Sequence, residues 1–116
     1  MRFYWGRYDP PAPRQEAAQV NMAKRIDTNQ PEIVETLRRL GASVHHTHTL
    51  GQGFPDVVVA FRGRTYLAEI KDGKRVGWKF TPAQKKFRSM WNAPIAILDS
   101  VETAVLWIAQ LAKGKV

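Results

Sequence analysis

The stretch from residue 53 to residue 73 constrains the fold of this 116-residue chain more than any other. It contains two apolar, β-branched runs, 56–61 and 65–71, on either side of a short Arg-Gly-Arg connection. Two such runs around a short link that contains glycine predict a β-hairpin. We place its turn at Gly63-Arg64, so that the chain folds back and the two ends of the stretch come together.

Three ionisable side chains meet at one end of this predicted hairpin. Side chains alternate between the faces of a strand, so Glu69 and Lys71 share a face, roughly 7 Å apart, and Ile70 points the other way into the core. Asp56, which opens the first strand, joins them only if the turn keeps an even register, because a one-residue slip would move it to the opposite face. With the even register, two carboxylates and one ammonium group share one face of the sheet.

Such a cluster suits metal-assisted hydrolysis of phosphodiesters. Mg²⁺ is typically held by one or two carboxylates and takes its other ligands from water and substrate phosphate, so Asp56 and Glu69 are candidate ligands for Mg²⁺ or Mn²⁺. The backbone carbonyl of Ile70 could add a further oxygen. Lys71 could orient the attacking water and favour its hydroxide form, or neutralise charge that develops on the phosphate. The alternative is a salt bridge between Asp56 and Lys71 at a strand end, with Glu69 solvated.

Helical periodicity precedes the hairpin. The segment 29–40 predicts a helix that ends before Gly41 and buries one apolar face, formed by Ile33, Val34, Leu37 and Leu40. Asn29 as N-cap and Glu32 three residues later resemble a capping box, which is one explanation for Glu32.

A histidine-rich segment leads from this helix to the hairpin. Residues 43–50 predict a first strand that carries His45, His46 and His48. Three histidines suggest a zinc site, but no acid or cysteine completes a recognisable ligand set. A histidine at the edge of the sheet is one interpretation of His48.

Two further helices and a strand follow the hairpin. Thr81-Pro82-Ala83-Gln84 predicts an N-cap, a proline in the first turn and a capping box, with a stripe of Phe80, Gln84, Phe87 and Trp91 that we expect to lie on the sheet. Trp78, just before it, could stack on a base or cover the core. Residues 94–98 predict a fourth strand. After a cap at Asp99-Ser100, the last helix is expected to bury Val101, Ala104, Val105, Ile108 and Leu111.

The order of these elements, α-β-β-β-α-β-α, predicts a small α/β domain with a mixed sheet flanked by helices. We assign residues 29–116 to this domain. Residues 1–28 form an N-terminal arm that is aromatic and basic near its start and then rich in proline. The arm either docks on the core or on a second subunit, or is loosely ordered, and we give it no role in chemistry.

The charge of the chain favours a polyanionic partner. The formal net charge is +8 and the pI is about 10.2, which points to nucleic acid, although an anionic membrane surface and simple solubility are competing explanations. Basic residues cluster just after the hairpin, where a phosphate backbone would run: Lys71, Lys74, Arg75, Lys79, Lys85, Lys86 and Arg88. The chain has no cysteine, no signal-peptide pattern and no apolar run of membrane-spanning length, so we expect a protein of the cytoplasm without a membrane segment.

The motif Gly53-Phe54-Pro55-Asp56, followed by Glu69-Ile70-Lys71, resembles the PD-(D/E)xK nuclease superfamily, and within it the stand-alone VRR-NUC domain of phages and bacteria. The resemblance runs from about residue 29 to residue 108. It also includes Asn29 to Val34, Gly41-Ala42, His48-Thr49, Thr81 to Gln84, and the closing strand and helix.

The resemblance implies a restriction-endonuclease-like core and a Mg²⁺- or Mn²⁺-dependent endonuclease that cuts branched DNA such as Holliday junctions as a homodimer, in a bacterium or a phage-infected cell. It implies that Glu32 matches an acid on the first helix that faces the metal, and that His48 and Gln84 lie near the active site. His48 could there contact phosphate or a metal-bound water. The rival interpretations are a nucleic-acid-binding module on a nuclease fold without catalysis, and a protein that binds RNA. Neither stacking aromatics nor a glycine-rich clamp for RNA stands out.

Overall fold

The computed structural model describes residues 28–73 and 78–114, which contain three helices and four strands. In chain order these are α1 (Gln30–Arg39), β1 (Ser43–His46), β2 (Val57–Phe61), β3 (Arg64–Ile70), α2 (Pro82–Met90), β4 (Ile95–Leu98) and α3 (Val101–Ala112). The predicted α/β class and the predicted order of elements are confirmed. The proposed N-terminal arm, apart from Thr28, and the basic residues Lys74 and Arg75 lie outside the described residues. No described helix is long and apolar enough to cross a membrane.

The predicted hairpin forms between β2 and β3, which pair antiparallel from Val57 with Ala68 to Phe61 with Arg64. Its two-residue turn is Arg62-Gly63, with φ angles of 50° and 81°, so the predicted turn at Gly63-Arg64 is wrong by one residue. Positive φ at both central positions is the turn geometry that matches the twist of paired strands. Because the loop still has two residues, the side chains keep the predicted faces.

The sheet is mixed, with the strand order β1-β2-β3-β4. β1 pairs antiparallel with β2, whereas β4 pairs parallel with β3, with Ile70 beside Leu98. The connection from β3 to β4 passes through α2, as a parallel pair requires a crossover. The carboxyl ends of β3 and β4 therefore lie at the same edge of the sheet, and Lys71 N–H extends the ladder by donating to the Leu98 carbonyl over 3.0 Å.

The core lies between the sheet and the apolar faces of α1 and α3. Its buried members include Ile33, Val34 and Leu37 of α1, Val57, Val59 and Phe61 of β2, Ala68 and Ile70 of β3, Leu98 of β4, and Ala104, Ile108 and Leu111 of α3. Three residues that we expected to be buried are not: Leu40 is 40 % exposed, Val105 is 43 % exposed, and Val101, the first residue of α3, is only half-buried. Leu40 follows the last residue of α1, and Val105 lies outside the narrower stripe of α3 that the core covers.

The first strand is shorter than predicted: β1 ends at His46, whereas the predicted strand ran to residue 50. Thr47 then turns the chain: its N–H donates to the Asp56 carbonyl over 2.8 Å and its hydroxyl donates to the Pro55 carbonyl over 2.7 Å. A short 3₁₀ turn follows at His48–Leu50. These two hydrogen bonds fasten the end of β1 to the residues that enter β2.

Candidate active site

Asp56 lies at the entrance of β2, and its carboxylate points to the end of β3. Its Oδ2 accepts a hydrogen bond from the Ile70 N–H over 2.8 Å, and the residue is only 8 % exposed. This bond joins the two strands of the hairpin beyond their last paired residues. The carboxylate is thus fixed in place by a backbone group of the same segment that carries Glu69 and Lys71.

Glu69 and Lys71 lie at the end of β3, on either side of the buried Ile70. Glu69 is 4 % exposed, and its Oε2 lies 3.8 Å from the Lys71 ammonium nitrogen. The structure therefore brings Asp56, Glu69 and Lys71 to one place. The alternative of an Asp56–Lys71 salt bridge with a solvated Glu69 is wrong, because Lys71 pairs with a buried Glu69.

Gln84 connects the acid and the lysine. Its Nε2 donates to Glu69 Oε2 over 2.8 Å, and its Oε1 accepts from the Lys71 ammonium over 3.1 Å. The same Oε1 accepts from the Thr81 N–H over 2.9 Å, and the Thr81 hydroxyl accepts from the Gln84 N–H over 3.1 Å. The predicted capping box of α2 is confirmed, and it orients the amide that bridges Glu69 and Lys71.

Two aromatic rings surround the Lys71 ammonium. The nitrogen lies 5.5 Å from the centre of the Trp78 ring and 5.4 Å from that of Phe80, and 3.5 Å from the Lys79 carbonyl oxygen. Distances of this size allow cation–π attraction. This contact was not predicted, since six residues separate Trp78 from Lys71 in the sequence and no local pattern pairs them.

Gly53 sets the distance between the loop before β2 and the start of α2. It has a φ of 79°, and a Cβ added there would overlap the Ala83 carbonyl and the Gln84 nitrogen. Next to it, the rings of Phe54 and Phe87 pack edge to face with 5.2 Å between their centres. Glycine therefore lets the loop that carries Asp56 lie directly against the turn that carries Gln84.

Asn29 anchors the start of α1 at the same edge of the sheet. Its side-chain amide donates to the Lys71 carbonyl over 2.9 Å and to the Asp99 carbonyl over 3.1 Å. The predicted capping box of Asn29 with Glu32 is wrong, because the Asn29 side chain makes no capping hydrogen bond and binds the strand ends instead. Glu32 is exposed, and its side chain forms no hydrogen bond or ion pair with the described residues. Its role at the metal stays a prediction.

A buried glutamine that was not predicted lies beside the histidines. Gln30 is 2 % exposed, and its Nε2 is 3.1 Å from His46 Nδ1. In the neutral tautomer with its proton on Nε2, the Nδ1 of His46 accepts this hydrogen bond from the Gln30 amide. Gln30 continues the buried stripe of α1 by helical spacing, which is the signal that would have found it. The interpretation of His48 as an edge-strand histidine is wrong, because His48 lies in the 3₁₀ turn after β1. It is 4 % exposed, and its ring meets that of His46 edge to face at 5.7 Å.

The environment of His46 favours its neutral form. Partial burial of the ring lowers its pKa from the usual 6.5, and the charges of Arg38, His48 and His45 lower it further, whereas the Asp56 carboxylate raises it. Desolvation is the largest cause.

The exposed lysines of the predicted DNA-binding set lie on or just before α2: Lys79, Lys85 and Lys86. Within residues 28–73 and 78–114, no group of three or more His, Cys, Asp or Glu side chains is arranged to hold a metal ion. Asp56 and Glu69 therefore form a two-acid set, and a metal bound there would need oxygens of the backbone, of water or of phosphate to complete its coordination.

Comparisons with known proteins add no relative to this picture. No family model matches the chain, and no curated protein and no solved structure matches it either.

Proposed function

We propose that this protein is a Mg²⁺- or Mn²⁺-dependent endonuclease that hydrolyses DNA phosphodiester bonds, of the PD-(D/E)xK type and similar to stand-alone VRR-NUC proteins. One observation carries the proposal: Asp56, Glu69 and Lys71 meet at the end of β3, and Gln84 hydrogen-bonds to the latter two. A structural ion pair needs one acid and one base. A second buried acid beside such a pair favours a site that receives a cation.

The donor set fits a hard divalent cation. Asp56 and Glu69 are both nearly buried. Glu69 belongs to the end of β3, and Asp56, at the entrance of β2, binds the neighbouring Ile70 N–H. Buried carboxylates that lie close together repel each other when both are charged, and a divalent ion between them relieves that repulsion. Oxygen-only ligands supplemented by water are what Mg²⁺ prefers.

Each residue then has a role. Asp56, Glu69 and the Ile70 carbonyl would hold the metal, which when bound would supply Lewis acidity and lower the pKa of a bound water. Lys71 orients the attacking water and counters negative charge on the phosphate. Gln84 fixes the relative positions of the Lys71 and Glu69 side chains through its two hydrogen bonds. His48 follows Thr47, whose N–H donates to the Asp56 carbonyl, and would contact phosphate or a metal-bound water, and Glu32 would support the metal directly or through water.

The basic charge of the chain supports DNA as the substrate. Lys79, Lys85 and Lys86 are exposed on the part of the chain that follows the site, and Lys74 and Arg75 extend the basic run in sequence. By resemblance we propose branched DNA, including Holliday junctions, and a homodimer that provides two symmetric cuts. We further propose that the protein acts in the cytoplasm of a bacterium or of a phage-infected cell.

Cleavage assays test the enzyme directly. Labelled linear, flapped and four-way DNA is incubated with the protein in Mg²⁺, in Mn²⁺ and in chelator. We expect metal-dependent cutting that Asp56→Asn abolishes and that Lys71→Ala lowers about a hundredfold, by analogy with other lost electrostatic stabilisers. Glu35→Gln, an exposed acid on α1, is the matched control. Binding of DNA without any cutting under these conditions would instead identify a non-catalytic binding module.

Calorimetry tests the metal separately from catalysis. We expect Mg²⁺ or Mn²⁺ to bind the parent protein, alone or with DNA, and to raise its midpoint of thermal unfolding. Neither effect should remain in the Asp56→Asn and Glu69→Gln variants. A parent protein that binds neither ion in either state would refute the metal assignment.

Light scattering tests the dimer. We expect a mass of two chains for the free protein or for its complex with junction DNA. A monomer in both states would remove the dimer and leave simple nuclease activity in place.

A further inference from the structure

An exposed tryptophan follows the helix that carries Gln84. Trp91 is 43 % exposed and is the C-cap of α2: its N–H donates to the Phe87 carbonyl over 3.0 Å, and its own backbone is extended. Positions 84, 87 and 91 recur with helical spacing, which places Trp91 on the same side of α2 as Gln84. Gln84 binds Glu69. The side of α2 that bears the tryptophan is thus the side that begins at the candidate active site.

A row of rings holds Trp91 in place. Phe87 stacks on Trp91 with 5.1 Å between ring centres and 20° between ring planes, and Phe54 packs on Phe87 from the other direction. Phe54 stands two residues before Asp56. One face of the indole is therefore covered by Phe87, which in turn packs against Phe54 in the loop before β2. Trp91 still presents a large exposed area.

The charge of α2 and of the whole chain indicates what covers that area. Lys85 and Lys86 are exposed on the same helix, and the whole chain carries a formal net charge of +8. A protein partner that covered this helix would need acidic residues to match its lysines, because ammonium groups are costly to desolvate without matched acids. An aromatic platform on a basic helix is a combination that binds single-stranded nucleic acid, through base stacking and phosphate attraction.

We infer that Trp91 stacks on an unpaired base of the substrate strand, an inference that rests on the proposed function and specifies its substrate. Trp91 lies seven residues after Gln84, about 10 Å along the helix axis. That length corresponds to about three nucleotides of a stacked strand. Bases inside a duplex are covered on both faces by their neighbours, so the substrate has an open base about three nucleotides from the cleaved phosphate, at a flap, an end or a branch point.

Fluorescence of 2-aminopurine tests the stacking directly. The probe replaces one base at a time over the first six positions of a flap, counted from the branch point, in complex with the Asp56→Asn protein. We expect quenching to be strongest within a window of one or two adjacent positions and to vanish there when Trp91→Ala is added. Absence of Trp91-dependent quenching at every position would overturn the inference, and this measurement does not depend on cleavage.

Affinity measurements give a second readout. Trp91→Ala should weaken binding to flapped and single-stranded DNA by about fivefold to a hundredfold (about 1–3 kcal/mol) and leave binding to continuous duplex unchanged. Trp91→Phe should retain most of the affinity, and Leu106→Ala, an exposed apolar residue of α3, is the control. An equal loss on duplex DNA would overturn the inference.

The experiments distinguish a failure of the nuclease proposal from a failure of the base-stacking proposal. If the parent protein cuts no DNA but the Trp91-dependent quenching is present, the nuclease function is wrong and the stacking platform stands. If the parent cuts DNA in metal but no probe position is quenched, only the platform is wrong.

Discussion

Replacing Gln84 by alanine tests how the candidate site is held together. The change removes the donor to Glu69 at 2.8 Å and the acceptor of Lys71 at 3.1 Å. The Thr81 hydroxyl keeps its bond from the backbone N–H of position 84, so the helix loses only half of its capping box. The main cost is therefore the loss of a hydrogen bond to a buried carboxylate.

The magnitude follows from that bond. A hydrogen bond to a charged group contributes about 1.5–3 kcal/mol, and the exposed Thr81 N–H can turn to water at little cost. We expect a loss of about 2 kcal/mol in the free energy of unfolding, which lowers the melting temperature of a domain of this size by roughly 10 °C. Because misplacement of a reacting group by about 1 Å can cost a hundredfold in rate, we expect single-turnover cleavage by Gln84→Ala to fall about tenfold to a hundredfold.

The assay compares melting temperature, DNA affinity and single-turnover rate in the same preparations. Gln110→Ala, an exposed glutamine of α3, should leave all three unchanged, and Gln84→Ala should leave DNA affinity nearly unchanged. A lowered melting temperature with an undiminished rate would show that Gln84 serves only as a helix cap. An unchanged melting temperature would show that its bond to Glu69 does not stabilise the fold.

Three further predictions follow from other contacts. The double change Lys85→Ala and Lys86→Ala should weaken DNA binding and reduce its logarithmic salt slope by about 2, measured by titration at several salt concentrations; an unchanged slope would exclude these phosphate contacts. Burial lowers the pKa of His46 below 6.5, so on acidification the unfolded chain takes up the proton before the folded chain does. The contribution of neutral His46 to the free energy of unfolding is therefore present above pH 6.5 and is lost as the pH falls below it. Denaturant unfolding from pH 5 to 7 should have a flatter pH dependence in His46→Asn than in the parent protein, and equal slopes would contradict this. Gly53→Ala should destabilise the fold more than Gly51→Ala, because both glycines have positive φ but only the Cβ at Gly53 meets backbone atoms of α2; equal melting temperatures would show that the close approach does not matter.

The hairpin could be predicted because the face on which each side chain lies depends only on strand alternation and on the length of the turn. Alternation along β3 places Glu69 and Lys71 on one face, and any two-residue turn adds Asp56 to them. The exact turn could not be predicted from the motif alone. Gly63 suits either central position of such a turn, and the choice of Arg62-Gly63 also depends on the pairing of β2 with β3 along their whole length.

The contacts between elements could not be read from local patterns. The capping box predicted the position of Gln84 on α2, but its contact with Glu69 depends on how closely α2 approaches β3. The same holds for Asn29: its type and position suggested a cap, whereas its amide binds the carbonyls of Lys71 and Asp99, far away in the sequence. A polar side chain that suits a helix end equally suits a strand end, and only the packing of α1 decides between them.

The position of α2 governs the geometry of the whole candidate site. None of its side chains is buried, so the hydrophobic core does not fix it directly. It is held instead by contacts at its start and along one side: the close approach of Gly53, the bond from Gln84 to Glu69, and the packing of Phe87 on Phe54. Elements with few buried apolar contacts open at lower free energy than the core. Since Gln84 and Trp91 lie on this one helix, a movement of α2 would alter the environment of Lys71 and the proposed base-stacking surface together, which couples the positioning of the substrate strand to the chemistry at the end of β3.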